Sequence, residues 1–556
     1  MTPSPAIRPD GPAPSAADAA IARDAWVLWY ERVSYCAVAL FAVLQHLSFV
    51  ADAGPLWRDE VATANTAHMP TWGEYWYYLQ WDSFPALWTT ILRFLAVDAD
   101  EFYRLLGFAV GISTLGLVWI GCHRLTKCHP VFTVAVVGCG FNAIYIGDSI
   151  RAYGLGMLFA CAVILAMAAY VRHPSRAGLT VVFVSALLAL HSLYFDFVPV
   201  VGALVAAVAV LLWCRQNPVP LAATVGVALA TLGVYRPVLA RGESFSSLFR
   251  YNPFDPAQYL EGVVRTIGIA GTAGGALFWS AAALAVGVAI RTAWRGRSRA
   301  VEAPTARLAL LCSGALVFIV PGYFGFLRHL SVNAGPRHFL VLIASVCLLS
   351  ELAIRSVHRG VKVRAGWATL ALVCVGIMIG DGRMGGFPRM SNVRDVAAVL
   401  GKSAGPADVI LVYPWHYGIS LRRYLKPSLS FQTLPEIADQ RTHRYDLAKA
   451  AMIGPDQQAP AQKAAAFAQK ALAAGAVVWF VGPRHAANAG EPPPDISPAP
   501  DPKYGWNETN YYAAYAQGFW TFIAEHASEV ELVLKPSTGT NPQENMPVFR
   551  IRGWRG

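Results

Sequence analysis

Two adjacent carboxylates, Asp59 and Glu60, stand in the stretch Leu56-Trp57-Arg58-Asp59-Glu60-Val61-Ala62, just after the first long apolar run. One carboxylate of such a pair can take a proton from an attacking hydroxyl. Its neighbour can orient a donor, bind a cation or pair with Arg58. The bland alternative is a solvated loop closed by an Arg–carboxylate pair, although ionisable groups near membrane depth are costly and tend to be functional. A second group is Gly147-Asp148-Ser149-Ile150-Arg151-Ala152-Tyr153, where Asp148 could equally cap the following helix. A third is basic: Arg328-His329 and Arg337-His338. Arg suits bidentate phosphate recognition, and a helix N-terminus adds favourable partial charge, with interfacial snorkelling as the alternative. His191 and Asp196 read as an interfacial His and a capping Asp. Cys122-His123 and Cys128-His129 match no familiar zinc spacing, so no metal site is expected from them. Asn507-Glu508-Thr509 is a glycosylation sequon only in a host that uses one.

These residues sit in a chain of 556 residues that is 55% hydrophobic and only 14% charged. A soluble domain carries roughly a quarter charged residues. Runs near the roughly 20 residues needed to cross a bilayer account for the difference. About eleven spans are expected, near 33–51, 102–121, 130–147, 153–171, 177–194, 196–214, 219–240, 268–290, 307–327, 337–354 and 365–381. Lys and Arg gather in alternate loops: Arg124 and Lys127; Arg172 and Arg176; Arg215; Arg291 to Arg307; Arg355 to Arg364. The positive-inside rule makes these loops cytoplasmic. The net charge of +11 is therefore that of a membrane protein. No basic stripe interleaves with exposed aromatics, so nucleic acid is excluded as a partner.

The expected layout is a disordered cytoplasmic tail (1–32), a transmembrane domain (33–381) with a large outer loop (52–101), and an extracytoplasmic domain (382–556). The outer loop carries Trp72, Tyr75, Trp76, Trp81 and Trp88, which suit short helices at the membrane–water interface. Helices at 393–400, 462–474 and 511–526 alternate with strands at 408–413, 476–481, 530–534 and 548–552, which predicts a small α/β domain. None of the nine cysteines lies in the outer loop or the C-terminal region, so those parts use no disulfides. The fold class is thus a polytopic α-helical membrane protein with a C-terminal α/β domain.

Three stretches resemble motifs of the GT-C fold glycosyltransferases, above all the protein O-mannosyltransferases and lipid A aminoarabinose transferases. They are Trp57-Arg58-Asp59-Glu60; Asp82-Ser83-Phe84-Pro85-Ala86-Leu87-Trp88, with Ala86 where the family has a second Pro; and Asp148-x-x-Arg151-x-Tyr153. A weaker likeness is Pro336-Arg337-His338-Phe339, where relatives have Pro-Arg-Tyr. The resemblance implies a sugar moved from a polyprenyl-phosphate donor to an acceptor hydroxyl on a glycolipid, polysaccharide or protein, at the outer face of a bacterial inner membrane. It implies Asp59 as base, Glu60 and Asp148 as its helpers, and Arg58, Arg151, Arg337 and His338 around the donor phosphate. Asp82, His68 and Tyr153 are acceptor-side candidates. A divalent cation could join the carboxylates, though no strong metal site stands out. The competing readings are a transporter or flippase of a lipid-linked saccharide, and an oligosaccharide ligase. A transporter would carry more mid-span charge and internal repeats.

Overall fold

A computed structural model describes residues 16–246, 255–267, 278–280, 282–284, 286–287, 291, 304–330, 334–357, 361–380, 386–485, 496–503 and 505–556. Among these, seven helices are long and apolar enough to cross a membrane: Ala25–Asp52, Asp100–Thr126, Tyr153–Arg172, Tyr194–Trp213, Val219–Gly242, Pro304–Leu330 and Lys362–Gly380. The shorter helices Arg176–Ser192 and Leu340–Val357 occupy two more expected spans. The expected span 268–290 lies for the most part outside the described residues.

Two expectations change. Helix α1 (Ala16–Asp52) starts at Ala16, so residues 16–32 are helical where a disordered tail was expected, because their Ala-rich start runs straight into the apolar stretch. The expected span 130–147 is no continuous helix. A turn at Val131–Thr133 and a π-helical stretch Val134–Gly138 precede a separate helix, Phe141–Gly147. The break falls at Gly140, where the backbone turns extended and an added Cβ would meet the Val136 carbonyl at 2.5 Å.

At the end of α1 away from Asp52, buried charges tie the bundle together. Glu31 pairs with Arg355 and Arg364, each at 3.0 Å. Glu351 accepts from the Thr133 amide (2.8 Å) and hydroxyl (2.7 Å). Charges buried this deeply persist only when paired and hydrogen-bonded.

The other end carries the segment expected as the outer loop, folded as α2 (Arg58–Ala67), α3 (Trp72–Tyr78), a 3-10 turn (Leu79–Trp81) and α4 (Leu87–Leu95), followed by α5 (Asp100–Thr126). Thr71 caps α3 by accepting from the Glu74 amide, and Glu74 reaches back to the Thr71 amide, a reciprocal cap. Arg93 donates to the Ala67 and Met69 carbonyls just past α2, where cations favour the helix dipole. Trp88 Nε1 donates to the Ile150 carbonyl at 2.6 Å, fastening α4 to the turn 148–152. That turn is close-packed: a Cβ at Gly107 would collide with the Asp148 carbonyl, and one at Gly154 with the Gly147 carbonyl.

The C-terminal region is the expected α/β domain. Strands β1 (Val409–Val412), β2 (Gln432–Thr433), β3 (Val478–Val481), β4 (Ala527–Leu534) and β5 (Val548–Trp554) lie in the order β2-β1-β3-β5-β4. β1 runs parallel to β2 and β3; β5 runs antiparallel to β3 and β4. The central strands β1 and β3 are almost wholly apolar and buried, as strands covered on both faces must be.

Polar contacts dock this domain on the outer loop. Asp100, at the start of α5, receives Arg394 (2.7 Å), Arg423 (3.1 Å) and the Tyr424 hydroxyl (2.6 Å). Tyr424 in turn accepts from the Leu56 amide at 2.8 Å. Asp100→Ala removes the carboxylate shared by two arginines and a tyrosine, leaving Arg423 only Asp98 and Arg394 only Glu101. It should weaken docking by about 1–3 kcal/mol, seen as faster limited proteolysis of the C-terminal domain while the helical bundle stays protected.

Candidate functional site

The site begins with the direction in which α2 presents its first turn. Successive helical residues point about 100° apart, so adjacent carboxylates take different surroundings. Glu60 turns inward. Its side chain is fully buried and forms a two-pronged pair with Arg104 at 2.5 and 2.9 Å. It also accepts from the Ile150 amide at 3.1 Å. This corrects the expectation that Glu60 helps the base or the acceptor: its oxygens are consumed in holding α2, α5 and the turn 148–152 together.

Asp59 turns to the open side, 18% exposed. Its carboxylate lies 3.8 Å from Arg58 Nε and 3.2 Å from Nε2 of His443, a residue of the C-terminal domain. Burial by itself would raise the Asp59 carboxyl. The hydrogen bond and charge of His443, with the charges of Arg151 and Arg58, outweigh burial and hold it well below the usual carboxylate range. The Asp59 carbonyl accepts from Arg151 at 3.0 Å. Arg151 also donates to Thr63 Oγ1 and Asp82 Oδ1, each at 2.7 Å, and its guanidinium lies 4.4 Å over the Phe84 ring. Asp82 takes a further bond from Thr63 at 2.9 Å. Burial pushes its carboxyl up, against the pull of Arg151 and Thr63. Tyr153 stands edge-on to Phe84, with ring centroids 5.0 Å apart. Asp59, Asp82, Arg151 and Tyr153 therefore lie together.

Other expected members fall elsewhere. Asp148 points into the bundle and pairs with His46 of α1 at 2.5 Å. It does not support Asp59, because the turn that carries it also reverses the chain and sends Arg151 the other way. His68 is exposed at the end of α2 and bonds its own turn at the Ala64 carbonyl. His338 folds back on Gly335 and packs on Phe195, so its ring is taken up at the start of its own span. Arg58 is largely committed to the C-terminal domain, donating to the Gln543 carbonyl at 2.6 Å and lying 3.6 Å from Glu544. Arg337 is exposed, has no ion-pair partner among the described residues, and acts electrostatically on Tyr153 and Tyr445.

The C-terminal domain supplies what sequence reasoning missed. Residues 439–446 clamp onto the outer loop. Tyr78 donates to Asp439 at 2.6 Å, Asn65 donates to the Arg441 carbonyl at 2.8 Å, and Arg444 pairs with Asp439 at 2.9 Å while lying 4.6 Å over Trp81. The clamp delivers His443 and Tyr445. His416 and Glu508 lie close enough to feel the Arg58 charge. Burial first, then Arg58, depresses His416; burial raises Glu508. The only hint in the sequence was the density of polar and aromatic residues in Gln440-Arg441-Thr442-His443-Arg444-Tyr445-Asp446. Among the described residues, no group of three or more His, Cys, Asp or Glu side chains is arranged to hold a metal ion.

No family model matches the chain, and no curated protein matches it. Solved structures do. ArnT from Cupriavidus metallidurans in the apo state has 14% identity and a TM-score of 0.48, over 83% of this chain and 94% of that one. The same protein bound to undecaprenyl phosphate has 13% identity and a TM-score of 0.46, over 81% and 92%. The oligosaccharyltransferase AglB from Archaeoglobus fulgidus, in complex with an inhibitory peptide and a dolichol-phosphate, has 11% identity and a TM-score of 0.43, over 81% and 70%.

Two outcomes follow from this geometry. Glu60→Gln strands Arg104 as a buried charge and should cost about 3–5 kcal/mol, read as a fall in melting temperature of the detergent-solubilised protein. Glu544 is buried, and burial raises its pKa from 4.5 to about 7 despite Arg58. A carboxyl whose folded pKa is raised adds stability below its unfolded pKa and loses it as pH rises through the folded one. Melting temperature should therefore decline between about pH 4.5 and 7 more steeply in the wild type than in Glu544→Gln.

Proposed function

We propose that this protein is a GT-C type glycosyltransferase. It moves a sugar from a polyprenyl-phosphate donor to an acceptor hydroxyl on a glycolipid, polysaccharide or protein. The transfer occurs at the membrane face opposite the Arg-rich loops, which in a bacterial inner membrane is the periplasmic face. One observation supports this above the rest. The three stretches that carry the family resemblance lie far apart in sequence, yet they meet through Arg151, which bonds the Asp59 carbonyl, Thr63 and Asp82.

The chemistry follows from what each group has left to offer. The acceptor hydroxyl loses its proton at the Asp59 pole of the site, where negative charge is held firmly. Arg337 is exposed, forms no ion pair among the described residues and acts on Tyr153 of the site, so it is available to the donor phosphate. Arg58 and Arg151 are tied to protein carboxylates and act on the phosphate through space. A phosphate already leaves readily, so charge stabilisation rather than protonation is the contribution needed. A single displacement inverts the anomeric carbon. Asp82 and Tyr153 flank the acceptor side.

The test is transfer by purified protein from a panel of undecaprenyl-phosphate-linked monosaccharides, with membranes of a deletion strain as acceptor source. Asp59→Asn should lose about 10²–10⁴-fold in rate while the protein stays folded and membrane-inserted. Arg337→Ala should chiefly raise KM for the donor. The deletion strain should accumulate one lipid-linked sugar, which names the donor. Wild-type turnover in Asp59→Asn would remove Asp59 from the chemistry.

A further inference from the structure

The acceptor's proton needs somewhere to go, and Asp59 is poorly suited to receive it. Its carboxylate is engaged by His443, lies beside Arg58, and has the charge of Arg151 close by, which together favour its anionic form. Proton transfer is efficient when the base's pKa lies near the working pH, and a carboxylate so strongly stabilised as an anion is far from that. A carboxylate in contact with an imidazole has another use. It accepts the ring N–H, fixes the tautomer and orientation, and leaves the second nitrogen as the basic atom.

The surroundings of His443 fit that use. Its Nε2 is the nitrogen on Asp59, at 3.2 Å. The ring stacks on Tyr445 with centroids 5.5 Å apart and planes at 15°, and Trp415 stands edge-on at 6.4 Å. The flanking residues are held by the Asp439–Arg444 clamp on Tyr78 and Trp81. The ring is therefore locked on one side by a carboxylate and on its faces by aromatics. With Nε2 on Asp59, its Nδ1 makes no hydrogen bond among the described residues and is not one of the sealed, unsatisfied buried atoms.

Resting on the transferase reading above, we propose that His443 is the catalytic base and Asp59 the carboxylate that orients it. The acceptor oxygen forms its bond to the anomeric carbon as its proton passes to His443 Nδ1. The bond from the anomeric carbon to the phosphate oxygen breaks, and its electron pair stays on the phosphate lipid. His443 Nε2–H remains on Asp59 throughout, and Asp59 offsets the imidazolium charge. The proton then leaves Nδ1 to water. The C-terminal domain thus contributes a reacting group.

The experiment compares full-length wild type, His443→Gln and His443→Ala with the undecaprenyl-phosphate monosaccharide panel and deletion-strain membranes. Gln keeps an N–H for Asp59 but cannot take the proton, so His443→Gln should lose at least about 10²-fold in rate. His443→Ala should lose as much and regain part of its rate with added imidazole, which a purely structural histidine would not do. A wild-type rate in His443→Gln overturns the proposal, as does a folded His443→Ala that imidazole leaves inert. A wild type that moves no sugar from any donor instead defeats the transferase reading itself, so the two failures are separable.

Discussion

The ion pair between Glu60 and Arg104 sets the geometry on which the rest of the site depends. Both side chains are buried, and neither charge could remain there without the other. Glu60 also takes the Ile150 amide, so one carboxylate joins α2, α5 and the turn 148–152. That turn then presents Arg151 to the Asp59 carbonyl and the Ile150 carbonyl to Trp88. With Glu60 committed inward, the helical repeat carries Asp59 to the open side. The conspicuous acidic dipeptide is therefore two residues with separate surroundings, one holding the scaffold and one facing His443 of the C-terminal domain.

The second half of the site comes from the far end of the chain. In parallel sheets, ligands collect beyond the carboxyl ends of the strands. Here β1 runs out into Trp415 and His416, and β2 leads to the segment holding Asp439, His443 and Tyr445. That edge of the sheet is turned on the outer loop, so the usual binding edge of an α/β domain meets the first turn of α2. Asp100 and Glu544 fix the approach, each gathering donors from across the junction.

Much of this was legible beforehand, for identifiable reasons. Long apolar runs announce helices by length alone, and most expected spans recur; 130–147 did not because a glycine break and a π-helical stretch leave hydropathy unchanged. The terminal helices and strands of the α/β domain were readable from their periodicity. The segment 413–458, after β1, was not. Its helices Tyr417–Tyr424 and Tyr445–Ile453 are short, and the two-residue strand β2 has no pattern to read. It is also the segment that enters the site, where residues are chosen for contacts across space and local patterning is weak. Direction was equally hidden. Nothing in the sequence distinguishes Asp148, which faces His46, from Asp82, which faces Arg151.

The distance along the chain between Asp59 and its imidazole partner has a consequence for biosynthesis. A ribosome adding about 5–20 residues per second needs roughly 20–80 s to travel from the first to the second. Through that interval the helical bundle can enter the membrane and bury its ion pairs, yet the Asp59–His443 contact cannot form. A nascent or prematurely terminated chain would occupy the membrane without the Asp59–His443 contact. Maturation is thereby written into the order of synthesis: that contact arrives last, when the C-terminal domain folds down onto a membrane half already in place.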